Sequence, residues 1–216
     1  MAWRFVVVSG NSGAGKSTLL RQIAADLRKD GLNVGLADER QLHHRLLAHM
    51  FSDPVRWAYA IQVNFIVQRF ARLLEASCEP YDVLLMERCF WEDKLFFRYY
   101  REIGAIPIAC EPIYDSLLKS FIDLTVRPSL IVHLNAEVNS SCERLERAFK
   151  KGERDEELRG DGLRRYITSM KRLYGEWSQQ ALDICAEYVE FDVDLSAITP
   201  REISREVRAR LQVEPG

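Results

Sequence analysis

The stretch VVVSGNSGAGKSTLL, residues 6–20, constrains the fold of this chain more than any other part of its sequence. A short apolar run typical of a buried strand leads into GNSGAGKS, and an apolar helical pattern follows directly. This order satisfies GxxxxGK[ST], in which backbone N–H groups turn onto phosphate oxygens and the helix dipole adds to them. Lys16 is predicted to bridge the β- and γ-phosphates of a nucleoside triphosphate, and the Ser17 hydroxyl to reach Mg²⁺. The predicted triphosphate-binding residues of the loop are Gly10, Asn11, Ser12, Gly13, Ala14, Gly15, Lys16, Ser17 and Thr18.

Apolar runs of four to six residues alternate with longer helical patterns along the chain. The runs cover residues 5–8, 34–37, 83–86, 130–134 and 188–191, and the helical patterns cover about 16–29, 40–51, 54–77, 91–103, 111–126, 137–150, 163–184 and 200–211. The runs are too short for helices, and most are rich in Val or Ile, as buried parallel strands are. We therefore expect a single α/β domain, residues 1–216, with a doubly wound five-stranded parallel sheet flanked by helices.

The composition of the chain is that of an ordinary soluble globular protein. The chain has 216 residues, 47% of them apolar, and a net charge of −2, which gives no reason to expect a nucleic-acid polymer or an anionic membrane. Five cysteines are scattered singly and read as reduced thiols of a cytoplasmic protein. No apolar run approaches the roughly 20 residues that span a bilayer. The first predicted strand begins so early that we expect no signal peptide.

Ligands of such sheets collect at the carboxyl ends of the strands, where several acidic and basic residues lie. The guanine-reading tetrapeptide NKxD of a GTPase switch is missing from the sequence. The third predicted strand ends in Glu87 and Arg88, a carboxylate that would hold Mg²⁺ and a cation that would neutralise a transferring phosphoryl group. The second predicted strand ends in Asp38 and Glu39, and either is placed to accept a proton from an attacking hydroxyl.

The segment FSDPVRWAYAIQVNFIVQRF predicts a helix that begins at Pro54 and has an aromatic face. Trp57 and Phe65 fit either the wall of a pocket or the core, and sequence does not separate the two. Gln62 and Arg69 are seven residues apart, which puts them on one face two turns apart. An amide that both donates and accepts is suited to a nucleobase edge.

A dense run of both charges, ERLERAFKKGERDEELRGDGLRRY, follows the fourth predicted strand. A solvated helical hairpin is the ordinary interpretation of such a run. In a phosphoryl-transfer enzyme it is instead a helical lid, at about residues 148–162, which closes cations over the phosphates.

Together these motifs resemble the deoxynucleoside kinase family, P-loop enzymes that phosphorylate the 5′-hydroxyl of deoxynucleosides. The similar segments are GNSGAGKST, DPVRWAYAIQ with its glutamine at Gln62, the ER pair after the third strand, and RDEE followed by YITSMKRLYGEW. The resemblance runs from the first strand to about Trp177. It implies a P-loop nucleoside kinase fold, ATP or another nucleoside triphosphate with Mg²⁺ as cofactors, and a homodimer in which residues 54–77 and 91–103 meet a twin.

The resemblance also implies roles for residues whose function the local pattern leaves open. Glu39 becomes the general base, Arg88 holds the 5′-oxygen, Phe97 stacks on the base, and Glu157 in the lid touches the 3′-hydroxyl. Arg69 and Asp93 match the branch that prefers cytosine and purine bases over thymine. The remaining residues assigned by position are the substrate-side Phe51, Trp57 and Phe65 and the lid-side cations Arg144, Lys151 and Arg154.

The chain departs from the family pattern at several of these positions. Arg40 replaces the proline after Glu39, Cys89 replaces the serine of ERS, and Phe51 replaces the tyrosine that usually holds the 3′-hydroxyl. Two alternatives stay open: a thymidylate-type nucleoside monophosphate kinase and a non-catalytic nucleotide-binding relative.

Overall fold

All five predicted strands belong to one parallel sheet in the computed structural model, which describes residues 4–37, 47–152, 158–194 and 198–211. The strands are β1 (Arg4–Gly10), β2 (Val34–Ala37), β3 (Val83–Glu87), β4 (Leu130–Asn135) and β5 (Glu187–Asp192). Their order across the sheet is β2-β3-β1-β4-β5. The central β1 pairs Val8 with Glu87 of β3 and Gly10 with Leu134 of β4. The carboxyl ends of these three strands therefore meet around the start of the glycine-rich loop.

Eight helices connect and cover the strands within the described residues. They are α1 (Lys16–Lys29), α2 (Leu47–Ser52), α3 (Pro54–Ser77), α4 (Phe90–Glu102), α5 (Glu111–Asp123), α6 (Val138–Lys150), α7 (Gly160–Ser178) and α8 (Pro200–Leu211). The bounds of α3 follow from local sequence, because Asp53 accepts a hydrogen bond from the backbone N–H of Arg56 at 3.3 Å and Pro54 occupies the first turn.

The sheet divides the core into two layers, because alternate residues of a strand point to opposite faces. Phe5 and Val7 of β1 face the larger layer, which α3, α4 and α7 cover. Val6 and Val8 face the smaller layer under α1 and α8. The polar residues of the site lie where the larger layer reaches the carboxyl edge of the sheet.

The predicted fold class is confirmed, and one helix ends earlier than predicted. The helix expected over 163–184 ends at Ser178, and a short 3-10 turn follows at Ala181–Asp183. The last strand is partly exposed, because β5 is an edge strand with a single neighbour. No helix in the described part of the chain is long and apolar enough to cross a bilayer.

Candidate active site

The loop between β1 and α1 needs glycine at two positions for steric reasons. Gly10 has a φ of 135°, and a Cβ there would lie 2.5 Å from the carbonyl oxygen of Leu134. Gly13 has a φ of 79°, and its Cβ would lie 2.6 Å from the carbonyl oxygen of Ser141. Both positions combine a left-handed backbone with close approach of another chain segment, so any side chain would displace the loop.

Lys16 begins α1 and is buried against the inside of the loop. Its ammonium group donates to the carbonyl oxygen of Asn11 at 2.9 Å and lies 3.8 Å from a carboxylate oxygen of Glu87. These contacts place a buried cation inside the glycine-rich loop. The Asn11 side chain fixes the other end of the loop by donating to the carbonyl oxygen of Ile167 in α7 at 2.8 Å.

A hydroxyl and a carboxylate meet at the end of β3. The Ser17 Oγ donates to Glu87 Oε2 at 2.7 Å. Two such oxygen donors, completed by phosphate oxygens and water, fit the preferences of Mg²⁺. Among the described residues no group of three or more His, Cys, Asp or Glu side chains is placed to hold a metal alone.

Arg88 directly follows β3 and has an unusual backbone. Within the described ranges it is the one non-glycine residue with a positive φ, 58°. Its N–H donates to the carbonyl oxygen of Val8 at 3.0 Å, which fixes this backbone next to β1. Its guanidinium donates to Ser12 Oγ at 3.3 Å and lies 4.7 Å from the ring centroid of Phe96. Strained residues of this kind concentrate at functional sites.

Gln62 lies on the buried face of α3, as the helical spacing predicts. Its amide nitrogen contacts Met50 Sδ at 3.8 Å. Its Oε1 is buried and accepts no hydrogen bond from the described residues. A buried carbonyl oxygen without a donor is costly, and a ligand with an N–H group would satisfy it.

Arg69 and Asp93 form a buried ion pair between α3 and α4. The Nε of Arg69 lies 3.0 Å and 3.2 Å from the two carboxylate oxygens, and both side chains are about 2% exposed. The Arg69 guanidinium also lies 5.5 Å from the ring centroid of Phe65. Helical spacing predicts that Gln62 and Arg69 share one face of α3, whereas it does not predict the partner of Arg69, which lies on another helix.

The aromatic residues assigned to the substrate side occupy different environments. Phe97 is fully buried and stacks on Tyr114 with ring centroids 4.2 Å apart. Trp57 is half-buried and stacks on His49 at 5.6 Å. Phe51 is half-buried and packs against the larger core layer.

Arg144 of α6 reaches the phosphate loop from the other side. Its guanidinium donates to the carbonyl oxygen of Gly13 at 3.3 Å and to Asp194 at 2.5 Å. Lys151 is exposed just after the end of α6. Glu39, Arg154 and Glu157 lie outside the described residues.

Glu92 is a charged residue of this site that the sequence analysis does not single out. It is completely buried one turn after Arg88, and its Oε2 accepts a hydrogen bond from the Tyr174 hydroxyl at 2.9 Å. Burial raises the pKa of the Glu92 carboxyl, while the Arg88 guanidinium opposes the shift. The available signal is an acidic residue in the first turn of the helix that follows Arg88, a helix rich in aromatic residues.

His133 is buried in the core behind the loop, as expected for a histidine inside an apolar strand. Its Nδ1 lies 3.1 Å from Ser9 Oγ. Burial, with a smaller effect of the Lys16 charge, lowers the pKa of its imidazole to about 3. The ring is therefore neutral at physiological pH.

A family model and individual relatives of this chain agree on the kind of protein that it resembles. A family model described as "Deoxynucleoside kinase" matches residues 6–210. The chain is 28% identical over 181 residues to a deoxyguanosine kinase of Lactobacillus acidophilus, which covers 81% of this chain and 75% of that protein. It is 24% identical over 175 residues to a deoxyadenosine/deoxycytidine kinase of Bacillus subtilis, covering 80% of this chain and 75% of that protein.

A solved structure shares the fold. The deoxyadenosine kinase of M. mycoides with bound dCTP matches with a TM-score of 0.75 at 18% identity, over 95% of this chain and 99% of that chain.

Proposed function

This chain belongs to the deoxynucleoside kinase family, and we propose that it transfers the γ-phosphoryl group of ATP to the 5′-hydroxyl of a deoxynucleoside. The product would be the 5′-monophosphate. The proposal takes the whole chain as one kinase domain whose lid spans about residues 148–162. Support comes from the start of α4, where one residue lies near the phosphate loop and the next belongs to a buried cluster suited to a nucleobase.

Those consecutive residues are Glu92 and Asp93, and their placement is the observation that carries the proposal. Glu92 is held among the charges next to the phosphate loop, where Arg88 and Lys16 act on it. Asp93 binds Arg69 of α3, on the helix that also carries Gln62. The start of α4 therefore joins a phosphate-binding region to a region suited to a nucleobase.

On the donor side, backbone N–H groups from Gly10 to Thr18 would bind the triphosphate with Lys16. Ser17 and Glu87 would hold Mg²⁺, which when bound neutralises charge on the donor phosphates. The lid-side cations would close over the same phosphates: Arg144, Lys151 and Arg154. Solved relatives with bound dCTP and bound dATP support the use of a nucleoside triphosphate ligand by this fold.

On the acceptor side, Gln62 would read the base edge, because its buried Oε1 lacks a donor among the described residues. The Asp93 carboxylate would accept from an exocyclic amine, which cytosine, adenine and guanine have and thymine lacks. We therefore infer a preference for purine or cytosine bases, in keeping with the names of the relatives. Phe51, Trp57, Phe65 and Phe97 would shape the pocket, and Glu157 would contact the sugar.

In the transfer itself, Glu39 would accept the proton of the 5′-hydroxyl as general base. Arg88 would hold the attacking oxygen, and its strained backbone supports such a fixed task. In-line phosphoryl transfer requires mainly positioning and charge neutralisation, which these residues supply.

A nucleoside acceptor fits the acceptor side better than a nucleoside monophosphate does. A monophosphate kinase needs cations for the acceptor phosphate, whereas the buried guanidinium of Arg69 is neutralised by Asp93 at 3.0 Å. A non-catalytic relative would have no use for the complete set of Lys16, Ser17, Glu87 and Arg88.

The protein would act as a cytoplasmic homodimer that uses α3 and α5. These helices pack through Phe70 and Phe121, whose rings stack at 4.2 Å. Each of these helices leaves apolar side chains exposed: Val67 and Leu74 on α3, and Ile113 on α5. The pair of α3 and α4 expected from sequence fits less well, since nine of the thirteen residues of α4 are buried. Light scattering should give twice the 25.0 kDa chain mass.

The deciding experiment is a phosphorylation panel with ATP or GTP, with and without Mg²⁺. The acceptors are the four deoxynucleosides, their ribose counterparts and the four deoxynucleoside monophosphates. We expect Mg²⁺-dependent formation of deoxynucleoside 5′-monophosphates, fastest with a purine or cytosine base and slower with thymidine.

Other outcomes would replace the proposal. Turnover of monophosphates alone would identify a monophosphate kinase. Thermal stabilisation by nucleotide without turnover would identify a binding protein.

A further inference from the structure

Among the described residues, the buried cations and the buried carboxylates are equal in number. They are three cations, Lys16, Arg69 and Arg88, and three carboxylates, Glu87, Glu92 and Asp93. Lys16 lies next to Glu87 at 3.8 Å, and Arg69 binds Asp93 at 3.0 Å. Arg88 is the cation that most strongly opposes the raised pKa of Glu92. Glu92 is the third of these carboxylates, and its Oε1 lies 3.9 Å from the Sγ of Cys89, the residue next to Arg88.

The surroundings of Glu92 are defined by several elements of the fold. Its Oε2 accepts from the Tyr174 hydroxyl at 2.9 Å, and Cys89 Sγ lies 3.9 Å from its Oε1. The titratable and charged groups that act on it are Arg88 after β3, Cys89 at the start of α4, Lys16 of α1, Arg69 of α3, Tyr174 of α7 and Tyr188 of β5.

A carboxyl group is an expensive way to fill this part of the core. Burying an ionised carboxylate is costly unless nearby cations and donors compensate it, and apolar residues of similar volume often stabilise a fold better. Glu92 is 0% exposed, and its neighbours along the helix include the buried aromatic residues Phe90, Trp91 and Phe96. Its charge therefore has a use other than packing.

Helix α7 makes polar contacts with two parts of the site, the phosphate loop and the start of α4. The carbonyl oxygen of Ile167 accepts from Asn11 of the phosphate loop at 2.8 Å. Seven residues later, and so on the same face, the Tyr174 hydroxyl binds Glu92. The helix is in this way connected both to the phosphate loop and to the turn that follows Arg88.

We propose that Glu92 and Tyr174 are positioning residues for phosphoryl transfer: Tyr174 holds the Glu92 carboxylate beside Arg88, and the carboxylate holds the guanidinium in its productive position. This inference rests on the proposed kinase activity and adds two residues to it. Both side chains are buried, with Glu92 0% and Tyr174 3% exposed. Their effect reaches the reaction through Arg88, whose guanidinium also contacts Ser12 of the phosphate loop at 3.3 Å.

The first test is steady-state kinetics of Glu92→Gln, Tyr174→Phe and the double variant. We expect each single variant to lower kcat about tenfold, the usual effect of losing a hydrogen bond to a charged group. KM for ATP should not rise, because removing a carboxylate leaves the phosphate site more positive. Since the two residues act as one unit, the double variant should be no slower than Glu92→Gln within about twofold.

The pH dependence of kcat separates positioning from packing. Burial raises the pKa of Glu92, and the bond from Tyr174 favours the ionised form. Tyr174→Phe should therefore move the Glu92 contribution to the acid limb of the kcat profile to higher pH. Glu92→Gln should remove that contribution and leave only the limb of the proposed general base, Glu39.

Matched controls lie on the same helix as Glu92. Tyr99→Phe removes a hydroxyl two turns further along α4, and Glu102→Gln removes a carboxylate that is paired with Arg98 and Arg172. Both should keep kcat within about twofold of the unchanged protein, since neither side chain adjoins Arg88.

Additive losses in the double variant, a rise in KM for ATP, or an unshifted acid limb in Tyr174→Phe would each overturn the inference. If the unchanged protein itself fails to phosphorylate any nucleoside, the proposed function is overturned first, and this role with it. A variant that does not fold is replaced by Glu92→Asp, which keeps the charge and should retain more activity than Glu92→Gln.

Discussion

The donor side and the acceptor side of the site are built in different ways. The donor side is a contiguous loop, in which the backbone of Gly10, Gly13 and the start of α1 defines the binding surface. The acceptor side consists of side chains from two helices, brought together by the Arg69–Asp93 pair. A local motif therefore specifies the first, whereas the second depends on how α3 packs against α4.

The two sides also differ in how closely their opposite charges approach each other. The Lys16 ammonium lies 3.8 Å from a carboxylate oxygen of Glu87. Arg69 lies 3.0 Å and 3.2 Å from the oxygens of Asp93, and the two side chains form a close ion pair. Loss of a donor-side charge should therefore affect catalysis, and loss of an acceptor-side charge should affect stability.

The largest expected effect is that of Lys16→Met on catalysis. Removing the cation that would contact the transferred phosphoryl group should lower kcat/KM about a thousandfold, because preorganised charges dominate such reactions. The free energy of unfolding in urea should fall less than it does in Asp93→Asn, since Lys16 lies 3.8 Å from Glu87 whereas Arg69 lies 3.0 Å from Asp93. Lys29→Met, at the exposed end of the same helix, is the control and should keep its activity.

This difference between the two sides would disappear if Lys16→Met lost as much free energy of unfolding as Asp93→Asn does. Thermal unfolding measured beside the kinetics distinguishes the two losses.

A smaller free-energy effect is expected when the acceptor-side pair is broken. Asp93→Asn leaves the Arg69 charge buried without its carboxylate and should cost about 3 kcal/mol of the free energy of unfolding. Glu75→Gln, which breaks the exposed pair with Arg72, is the matched control and should cost less than about 1 kcal/mol. Urea titration of both variants measures the difference.

The double variant Arg69→Met, Asp93→Leu sharpens this result. It should recover most of the lost stability, because no buried charge remains unpaired. If it were as unstable as Asp93→Asn, the cost would lie in packing rather than in charge. A cytosine-to-thymine preference that stays unchanged in the double variant would show that the pair does not select the base.

The contrast explains which parts of this molecule can be predicted from sequence. The strands, the helix α3 and the phosphate loop follow from local signals such as apolar runs, Pro54 and the glycine spacing. The helical period alone predicts that Gln62 and Arg69 lie on one face. The contacts of Arg69 with Asp93 and of Glu92 with Tyr174 join residues 24 and 82 positions apart, and no local pattern encodes them. The strain at Arg88 likewise depends on the neighbouring strand, since Val8 fixes its N–H.

The smallest expected effect concerns acid stability on the donor side, at His133. Its pKa is about 3 in the fold against about 6.5 for a solvent-exposed histidine, so the unfolded chain takes up a proton that the folded chain does not. The stability of the neutral form is therefore complete above pH 6.5 and is lost as the pH falls from 6.5 towards 3. Between pH 7 and pH 5 the loss should be about 2 kcal/mol.

His133→Asn removes this titration, and its free energy of unfolding should fall less steeply over the same pH range. Equal slopes for the two proteins in urea titrations at pH 7, 6 and 5 would contradict the prediction. The comparison is made on slopes rather than on absolute values, because losing the contacts of the imidazole with Ser9 and Tyr174 lowers stability at every pH. A slope difference would mean that the core behind the phosphate loop requires a neutral imidazole beside the buried Lys16 charge. The donor side would then be the acid-sensitive part of the molecule.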